Sequence, residues 1–296
     1  MAHHSAMHPA SESHSAIHEY LLESPCRSIF YIPQFITAEE ASSLITHIFQ
    51  RSNRWTTLRN RRLQTWGTMP APPLMNQSWS ASKHQPLPSW MHPVLDRIQS
   101  LGIFSSSQPP NNCLVNEYRP GQGIMPHLDG PKYTSMVATV SLGEAAMLDF
   151  YPYHSNTRDE YATDRDKIES SASYQSDIKP AFSVIVEPLS LLVLQDEAYD
   201  HYMHGIDESF EFSIGGVGLT DEPKNTTVHS IINADTVRSR ILSQNHNAKY
   251  PQLSVTVKTS TNLDPVTKSP IDTDLDHDIV IHRVCTRVSL TFRHAL

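Results

Sequence analysis

Residues 116–129 read Asn-Glu-Tyr-Arg-Pro-Gly-Gln-Gly-Ile-Met-Pro-His-Leu-Asp, and the stretch ends with an imidazole and a carboxylate two positions apart. In an extended segment alternate side chains point to the same side, so His127 and Asp129 would share one face. The turn-forming run at 120–123 separates this segment from a preceding strand that includes Tyr118. The pattern therefore predicts two strands and a turn, with two candidate metal ligands on the second strand.

One further histidine from a distant segment would complete a site of two imidazoles and one carboxylate. Such a facial triad suits non-haem Fe(II), because it covers one side of the ion and leaves the other side open for a co-substrate and O2. The His-x-Asp spacing is short and also arises by chance. Other parts of the chain must therefore support the metal site.

The last predicted strand, Arg287-Val-Ser-Leu-Thr-Phe-Arg293, alternates polar and apolar side chains. Strand geometry places Arg287, Ser289 and Arg293 on one face. Two arginines on one face could clamp the carboxylates of a dicarboxylate through their planar guanidinium groups. A solvent-facing edge strand would show the same alternation, so the strand alone leaves both interpretations open.

Length and composition indicate a globular chain of 296 residues with a net charge of -8. The three cysteines form no CxxC motif, which argues against a disulfide framework or a zinc knuckle and favours a reducing compartment. No apolar run is long enough to span a membrane, and the N-terminus lacks the apolar core of a signal peptide. We therefore expect a protein of the cytoplasm, the nucleus or both, with no membrane association.

Positive charge and tryptophan are concentrated in residues 41–95, which contain no Asp or Glu. This segment holds the cationic residues Arg51, Arg54, Arg59, Arg61, Arg62 and Lys83 and the tryptophans Trp55, Trp66, Trp79 and Trp90. Interleaved arginine and aromatic side chains suit a surface that neutralises phosphates and stacks bases. Core tryptophans beside a solvated basic loop would give the same composition, so both interpretations stay open.

Composition divides the chain into regions. Residues 1–24 are rich in His, Ser and Ala and are expected to form a disordered leader before a single domain over 25–296. N-terminal helices come first, and short strands separated by turns begin near residue 111, which favours a double-layer barrel or jelly roll. Polar stretches at about 153–180 and 220–278 are expected to be surface insertions, partly disordered.

Several motifs occur in order along the chain: Leu63-Gln-Thr-Trp-Gly67, Asn116-x-Tyr118, His127-x-Asp129, Val140-Ser-Leu-Gly143, Leu148-Asp-Phe-Tyr151, Met203-His-Gly-Ile206 and the strand from Arg287 to Arg293. Together they resemble the AlkB family of Fe(II)/2-oxoglutarate dioxygenases, with most similarity to the eukaryotic AlkB homologue 6 group. The resemblance implies a mainly β fold of class α+β, with a double-stranded β-helix (jelly roll) over 111–296. It also implies N-terminal helices and a nucleotide-recognition lid over 25–110.

The resemblance assigns the iron ligands to His127, Asp129 and His204. Among the other histidines downstream of the His-x-Asp pair, His201 and His229 are alternative candidates for the distal ligand. His204 matches best because it follows a buried strand and directly precedes a glycine. His201 is expected to be a neighbour of the site or a surface residue.

The resemblance also implies the contacts of the co-substrate and the substrate. Arg287 would grip the far carboxylate of 2-oxoglutarate with help from Tyr118 and Ser289. Asn116 and Arg293 would lie nearer the metal-chelating end. The lid residues that would contact the substrate are Trp55, Arg61, Arg62 and Trp66.

The implied reaction is oxidative demethylation of alkylated DNA or RNA, with Fe(II) as cofactor and 2-oxoglutarate and O2 as co-substrates. Hydroxylation or demethylation of a protein side chain is an alternative, favoured if the arginine and tryptophan segment proves buried. A nucleic-acid or protein-binding module that keeps the fold without turnover is a third hypothesis.

Overall fold

Two β-sheets face each other in the computed structural model, which describes residues 16–53, 55–69, 86–153, 179–215, 230–244, 253–259 and 277–296. Within these residues the larger sheet is antiparallel and has the order β1 (Ile29–Ile32), β9 (Leu191–Gln195), β6 (Met136–Leu142), β15 (Arg287–Arg293), β4 (Asn112–Tyr118), β3 (Arg62–Gly67) and β2 (Thr56–Thr57). The smaller sheet has the order β12 (Ser230–Ile231), β8 (Phe182–Val186), β7 (Ala146–Pro152), β10 (Tyr202–Ile206) and β5 (Ile124–His127). This arrangement confirms the predicted double-stranded β-helix.

Helices cover the outer side of the larger sheet. The helix α1 (Ala38–Ile48) begins at Thr37, whose hydroxyl accepts the Glu40 backbone N–H while the Glu40 carboxylate accepts the Thr37 backbone N–H. The helix α2 (His92–Ser100) follows a short 3-10 helix. The two helices bury Leu44, Ile48, Val94 and Ile98. Among the described helices, none is long and apolar enough to cross a bilayer.

Buried apolar side chains form separate clusters within the described residues. One cluster lies between the larger sheet and the helices α1 and α2. A second fills the space between the two sheets and includes Phe150, Phe182 and Leu192. A short helix, α3 (Asp196–Asp200), follows β9 and adds Ala198 to this second cluster. Packed apolar clusters therefore fix the positions of both sheets, and the candidate site described below lies between these sheets.

An accessory unit packs on the outer side of the smaller sheet. It consists of a three-stranded sheet in the order β11 (Glu211–Ile214), β14 (His277–His282) and β13 (Ser254–Thr259), together with the helix α4 (Ala234–Gln244). Its apolar residues pack around Ile185 of β8. The described part of the predicted insertion at 220–278 is ordered, because spaced apolar residues such as Val237 and Ile241 bury a small core, and the partial disorder of the insertion stays a prediction.

The predicted leader is also corrected at its C-terminal end. Residues Ala16–Tyr20 form a 3-10 helix, and Ile17 is only 3% exposed within the main core. Leu21 then bridges to Phe30 of β1. Ordered structure begins before residue 25 because these apolar side chains find partners on the first strand. Residues 1–15, and most of the predicted insertion at 153–180, lie outside the described residues.

Candidate active site

Three candidate metal ligands meet at the edge of the smaller sheet. His204 on β10 is the cross-strand partner of His127 at the end of β5, and their ring centroids are 4.6 Å apart. Asp129 follows two residues after β5. One potential ligand atom from each of the three residues lies within 4.8 Å of the others. The structure therefore brings together the two histidines and the carboxylate that were predicted as a triad.

Neighbouring groups orient these ligands. His127 Nδ1 donates a hydrogen bond to the Met125 carbonyl at 2.9 Å, which leaves Nε2 with the free lone pair in the neutral ring. Arg293 Nη1 donates to Asp129 Oδ1 at 3.1 Å, while Asp129 Oδ2 lies 3.9 Å from His204 Nε2. Such contacts hold the ligand atoms toward a common point.

The protonation states also suit a metal. Burial and the neighbouring His204 lower the pKa of His127 to about 4. Burial lowers the pKa of His204 as well. Burial by itself would raise the pKa of Asp129, but Arg293 and the two histidines outweigh it and hold that pKa below its usual value. Neutral imidazoles and an ionised carboxylate are the forms that bind a cation, so the donor set fits Fe(II).

The paired strands β4 and β15 present one polar face toward the smaller sheet, and we call the space over this face the chamber. Arg287 is the cross-strand partner of Tyr118, and Ser289 is the partner of Asn116, so these four of the five predicted co-substrate residues line one surface. The Arg287 guanidinium is buried, donates from Nη2 to Ser141 Oγ at 3.1 Å and lies 5.5 Å from the Tyr118 ring centroid. Its Nε has no hydrogen-bond partner, and no carboxylate among the described residues pairs with it. A buried, unneutralised guanidinium fits the carboxylate of a bound dicarboxylate.

Arg293 occupies the other end of β15. Besides Asp129 it contacts Asn112, whose Oδ1 accepts a hydrogen bond from Nη2 at 3.2 Å, and the Tyr133 ring, whose centroid is 4.1 Å from Cζ. The carboxylate that it binds in the structure is therefore a metal ligand of the protein. This differs from the predicted clamp of two arginines on one dicarboxylate, and a direct contact of Arg293 with 2-oxoglutarate stays a prediction.

The strand β3 separates the predicted lid residues. Arg62 and Trp66 face the helices: Arg62 Nη2 donates to Glu117 Oε1 at 2.9 Å, and the Trp66 ring meets the Trp90 ring edge-on at 5.7 Å. Trp55 packs with its ring centroid 4.3 Å from the Arg62 guanidinium. In the structure Arg62, Trp66 and Trp55 pack against protein groups beside the helical core, and their contact with the substrate stays a prediction.

Arg61 takes the opposite direction. Its Nε donates to Asn116 Oδ1 at 3.2 Å, and because Arg61 is partly exposed while Asn116 is buried, the guanidinium lies at the entrance of the chamber. Of the four predicted lid residues, Arg61 is the one that the described contacts bring to the site.

Other site residues were not predicted from the sequence. Asn112 lies on the same face of β4 as Asn116, and Ser141 of β6 is the cross-strand partner of Ser289, so period-2 alternation could have identified both. Tyr199 donates its hydroxyl to the Gly130 carbonyl at 2.9 Å, next to the metal ligand Asp129. Nothing in its local sequence pattern marks this residue.

The fold and the site define the protein as a dioxygenase that uses Fe(II), 2-oxoglutarate and O2. The chain belongs to the 2OG-Fe(II) oxygenase superfamily, which matches residues 28–293. Within this superfamily the expected resemblance to AlkB proteins is confirmed. A Danio rerio relative named "Probable RNA/DNA demethylase ALKBH6" is 35% identical over 191 residues, which cover 64% of this chain and 74% of the relative.

Two further proteins are similar to this chain. The "Alkylated DNA repair protein ALKBH8 homolog" of Arabidopsis thaliana is 30% identical over 189 residues, which cover 61% of this chain and 52% of that protein. The solved structure of OsALKBH1 has a TM-score of 0.45 and 15% identity, and the match covers 92% of this chain and 100% of that chain.

Proposed function

We propose that this dioxygenase demethylates alkylated nucleic acid. The observation that carries the oxygenase chemistry is the approach of His127, Asp129 and His204 within 4.8 Å, together with the buried Arg287 on the strand whose Arg293 binds Asp129. The nucleic-acid substrate is supported by the similarity to proteins named as an RNA/DNA demethylase and a DNA repair protein. The cationic Arg61 at the chamber entrance is compatible with a nucleic-acid ligand.

Each residue of the site would have a defined task. His127, Asp129 and His204 would hold the iron on one side, and Arg287 with Tyr118 would bind the far carboxylate of 2-oxoglutarate. Bound Fe(II) would supply the redox chemistry in which O2 and 2-oxoglutarate give succinate, CO2 and one oxygen atom inserted into a methyl C–H bond. The resulting N-hydroxymethyl group breaks down to formaldehyde and the free N–H, so the methyl carbon leaves as an aldehyde.

An anaerobic titration tests the metal and co-substrate site. Addition of Fe(II) and 2-oxoglutarate to the full chain is expected to produce a metal-to-ligand charge-transfer band in the visible range. His127→Ala should abolish the band because it removes one of three protein ligands. Absence of the band in the wild-type protein, with folding verified by circular dichroism, would contradict the assigned site.

A protein side chain is the second candidate substrate. It is favoured by one observation: Trp55, Arg62 and Trp66 pack against protein groups, so the aromatic and basic segment offers fewer free side chains for bases than its composition suggests. Succinate release should therefore be measured with methylated oligonucleotides and with peptides side by side. Release with peptides alone would replace the nucleic-acid proposal by the protein one.

We also propose a reducing compartment, the cytoplasm or the nucleus, as the site of action. Cys26 and Cys113 are buried free thiols, and Cys285 is an exposed free thiol. Free cysteines are typical of proteins that work where thiols stay reduced. Immunofluorescence of the endogenous protein tests this, and a secretory-pathway signal would contradict it.

A further inference from the structure

Arg61 lies at the chamber entrance, where hydrogen bonds of its backbone and of its side chain fix its position. Its backbone carbonyl accepts a hydrogen bond from the Leu58 N–H at 2.9 Å, which closes the turn between β2 and β3. Its side chain donates to Asn116 Oδ1 at 3.2 Å. The neighbouring Asn60 side chain donates to Glu208, which follows β10. The turn that carries Arg61 is therefore anchored to both sheets that form the site.

Arg61 lies on the face that carries the site. Its partner Asn116 pairs across the strands with Ser289, and Arg293 of the same strand face binds the metal ligand Asp129. A methyl group that is to be oxidised must come to the open side of the metal. A substrate base in that position would therefore lie within the field of the Arg61 guanidinium.

No described carboxylate neutralises Arg61. Asp129 is paired with Arg293, and Glu117 is paired with Arg62. Glu208 is exposed to solvent and bound by Asn60, so water and salt screen its charge. Arg61 is partly buried, and its positive charge is screened less than that of an exposed residue.

We propose that Arg61 makes this site select neutral alkylated bases over bases that alkylation has made cationic. The inference rests on the proposed nucleic-acid function and specifies its substrate class. A base methylated on an exocyclic amine is neutral and keeps ring nitrogens that can accept a guanidinium N–H. Adenine methylated at N1, or cytosine methylated at N3, has lost that acceptor and carries a positive charge. If the Arg61 guanidinium and a cationic base lie about 8 Å apart at an effective dielectric of about 20, their repulsion lowers the affinity for that base roughly 30-fold.

Binding of matched probes tests the proposal. The full chain is loaded with Mn(II) and 2-oxoglutarate to prevent turnover, and the affinities of three single-stranded oligonucleotides are measured by fluorescence anisotropy. The probes are identical except that one adenine is unmodified, N6-methylated and neutral, or N1-methylated and cationic. Wild-type protein should bind the neutral methylated probe at least about tenfold more tightly than the cationic one.

Three variants separate charge from other effects. In Arg61→Gln the affinities for the neutral and the cationic methylated probe should differ by no more than about twofold. Arg61→Lys keeps the charge and should retain most of the preference for the neutral probe. Arg59→Gln removes the same charge from an exposed position in the same turn, so it should weaken both methylated probes equally and leave their ratio unchanged. Thermal unfolding verifies that each variant folds.

The outcomes distinguish this inference from the proposed function. If the wild-type protein binds the methylated probes no better than the unmodified one, and the Fe(II)-loaded protein in air releases no succinate with either methylated probe, nucleic-acid demethylation fails as a function. If it prefers methylated probes but Arg61→Gln leaves the neutral-to-cationic ratio unchanged, the role of Arg61 in selection is overturned. The same holds if Arg61→Gln weakens 2-oxoglutarate binding alone, because Arg61 would then be a co-substrate contact.

Discussion

Two arginines of one strand have different tasks at the scale of single residues. Among the described residues no carboxylate pairs with the buried Arg287, whereas Arg293 pairs with Asp129 and is held in turn by Asn112 and Tyr133. Sequence alternation predicts that both face the site but does not predict which carboxylate each one binds. That choice depends on the segment after β5, which carries Asp129 to the far end of β15.

Arg293→Gln is expected to weaken metal binding because the carboxylate of Asp129 loses the charged group that orients it. Loss of such a supporting contact typically lowers metal affinity about 10- to 100-fold. Anaerobic calorimetric titration with Fe(II) measures the effect. Arg287→Gln is the matched control: it should leave metal affinity within about twofold and weaken 2-oxoglutarate at least about 30-fold. Equal loss of metal affinity in both variants would contradict the division of tasks.

At the scale of elements, the strand β3 decides which lid residues can meet a substrate. Arg61 and Arg62 are adjacent, so strand geometry sends their side chains to opposite faces. The sequence composition suggested one basic and aromatic surface, but alternation splits it into a helical face with Arg62 and Trp66 and a site face with Arg61. The period-2 alternation that placed His127 and Asp129 on one face would also have placed Arg61 and Arg62 on opposite faces.

Arg62→Ala is expected to destabilise the protein by about 2 kcal/mol, because it leaves the buried Glu117 carboxylate without its cation. The loss is smaller than for a fully buried pair, since the Arg62 side chain is 29% exposed. Arg61→Ala should change stability by less than about 0.5 kcal/mol. Urea denaturation measures both, and a larger loss for Arg61→Ala than for Arg62→Ala would refute this assignment of faces.

At the scale of the whole molecule, local patterns predicted the inner layers better than the outer ones. His127, Asp129 and Arg287 lie on strands or next to them, where a period of two fixes the face of each side chain. The accessory unit was missed because its apolar residues, such as Val237 and Ile279, are widely spaced in polar sequence and pack only after distant segments meet. The strand β14 likewise pairs with both β11 and β13, which come from distant parts of the chain.

The accessory unit is tied to the double-stranded β-helix by a buried ionic network. The Glu187 carboxylate accepts a hydrogen bond from the Tyr31 hydroxyl at 2.8 Å and pairs with Arg240 of α4, with only 11% of the Glu187 side chain exposed.

Arg240→Met removes the cation of this network and is expected to lower the free energy of unfolding by about 3 kcal/mol. Amide hydrogen exchange of α4 should become faster in this variant. Its Fe(II) affinity should stay within about twofold of the wild-type value, because the network is separate from the three metal ligands. Adding Glu187→Gln should restore much of the lost stability, since the buried charge is then gone. A variant that loses Fe(II) affinity together with α4 protection would instead show that the accessory unit supports the metal site directly.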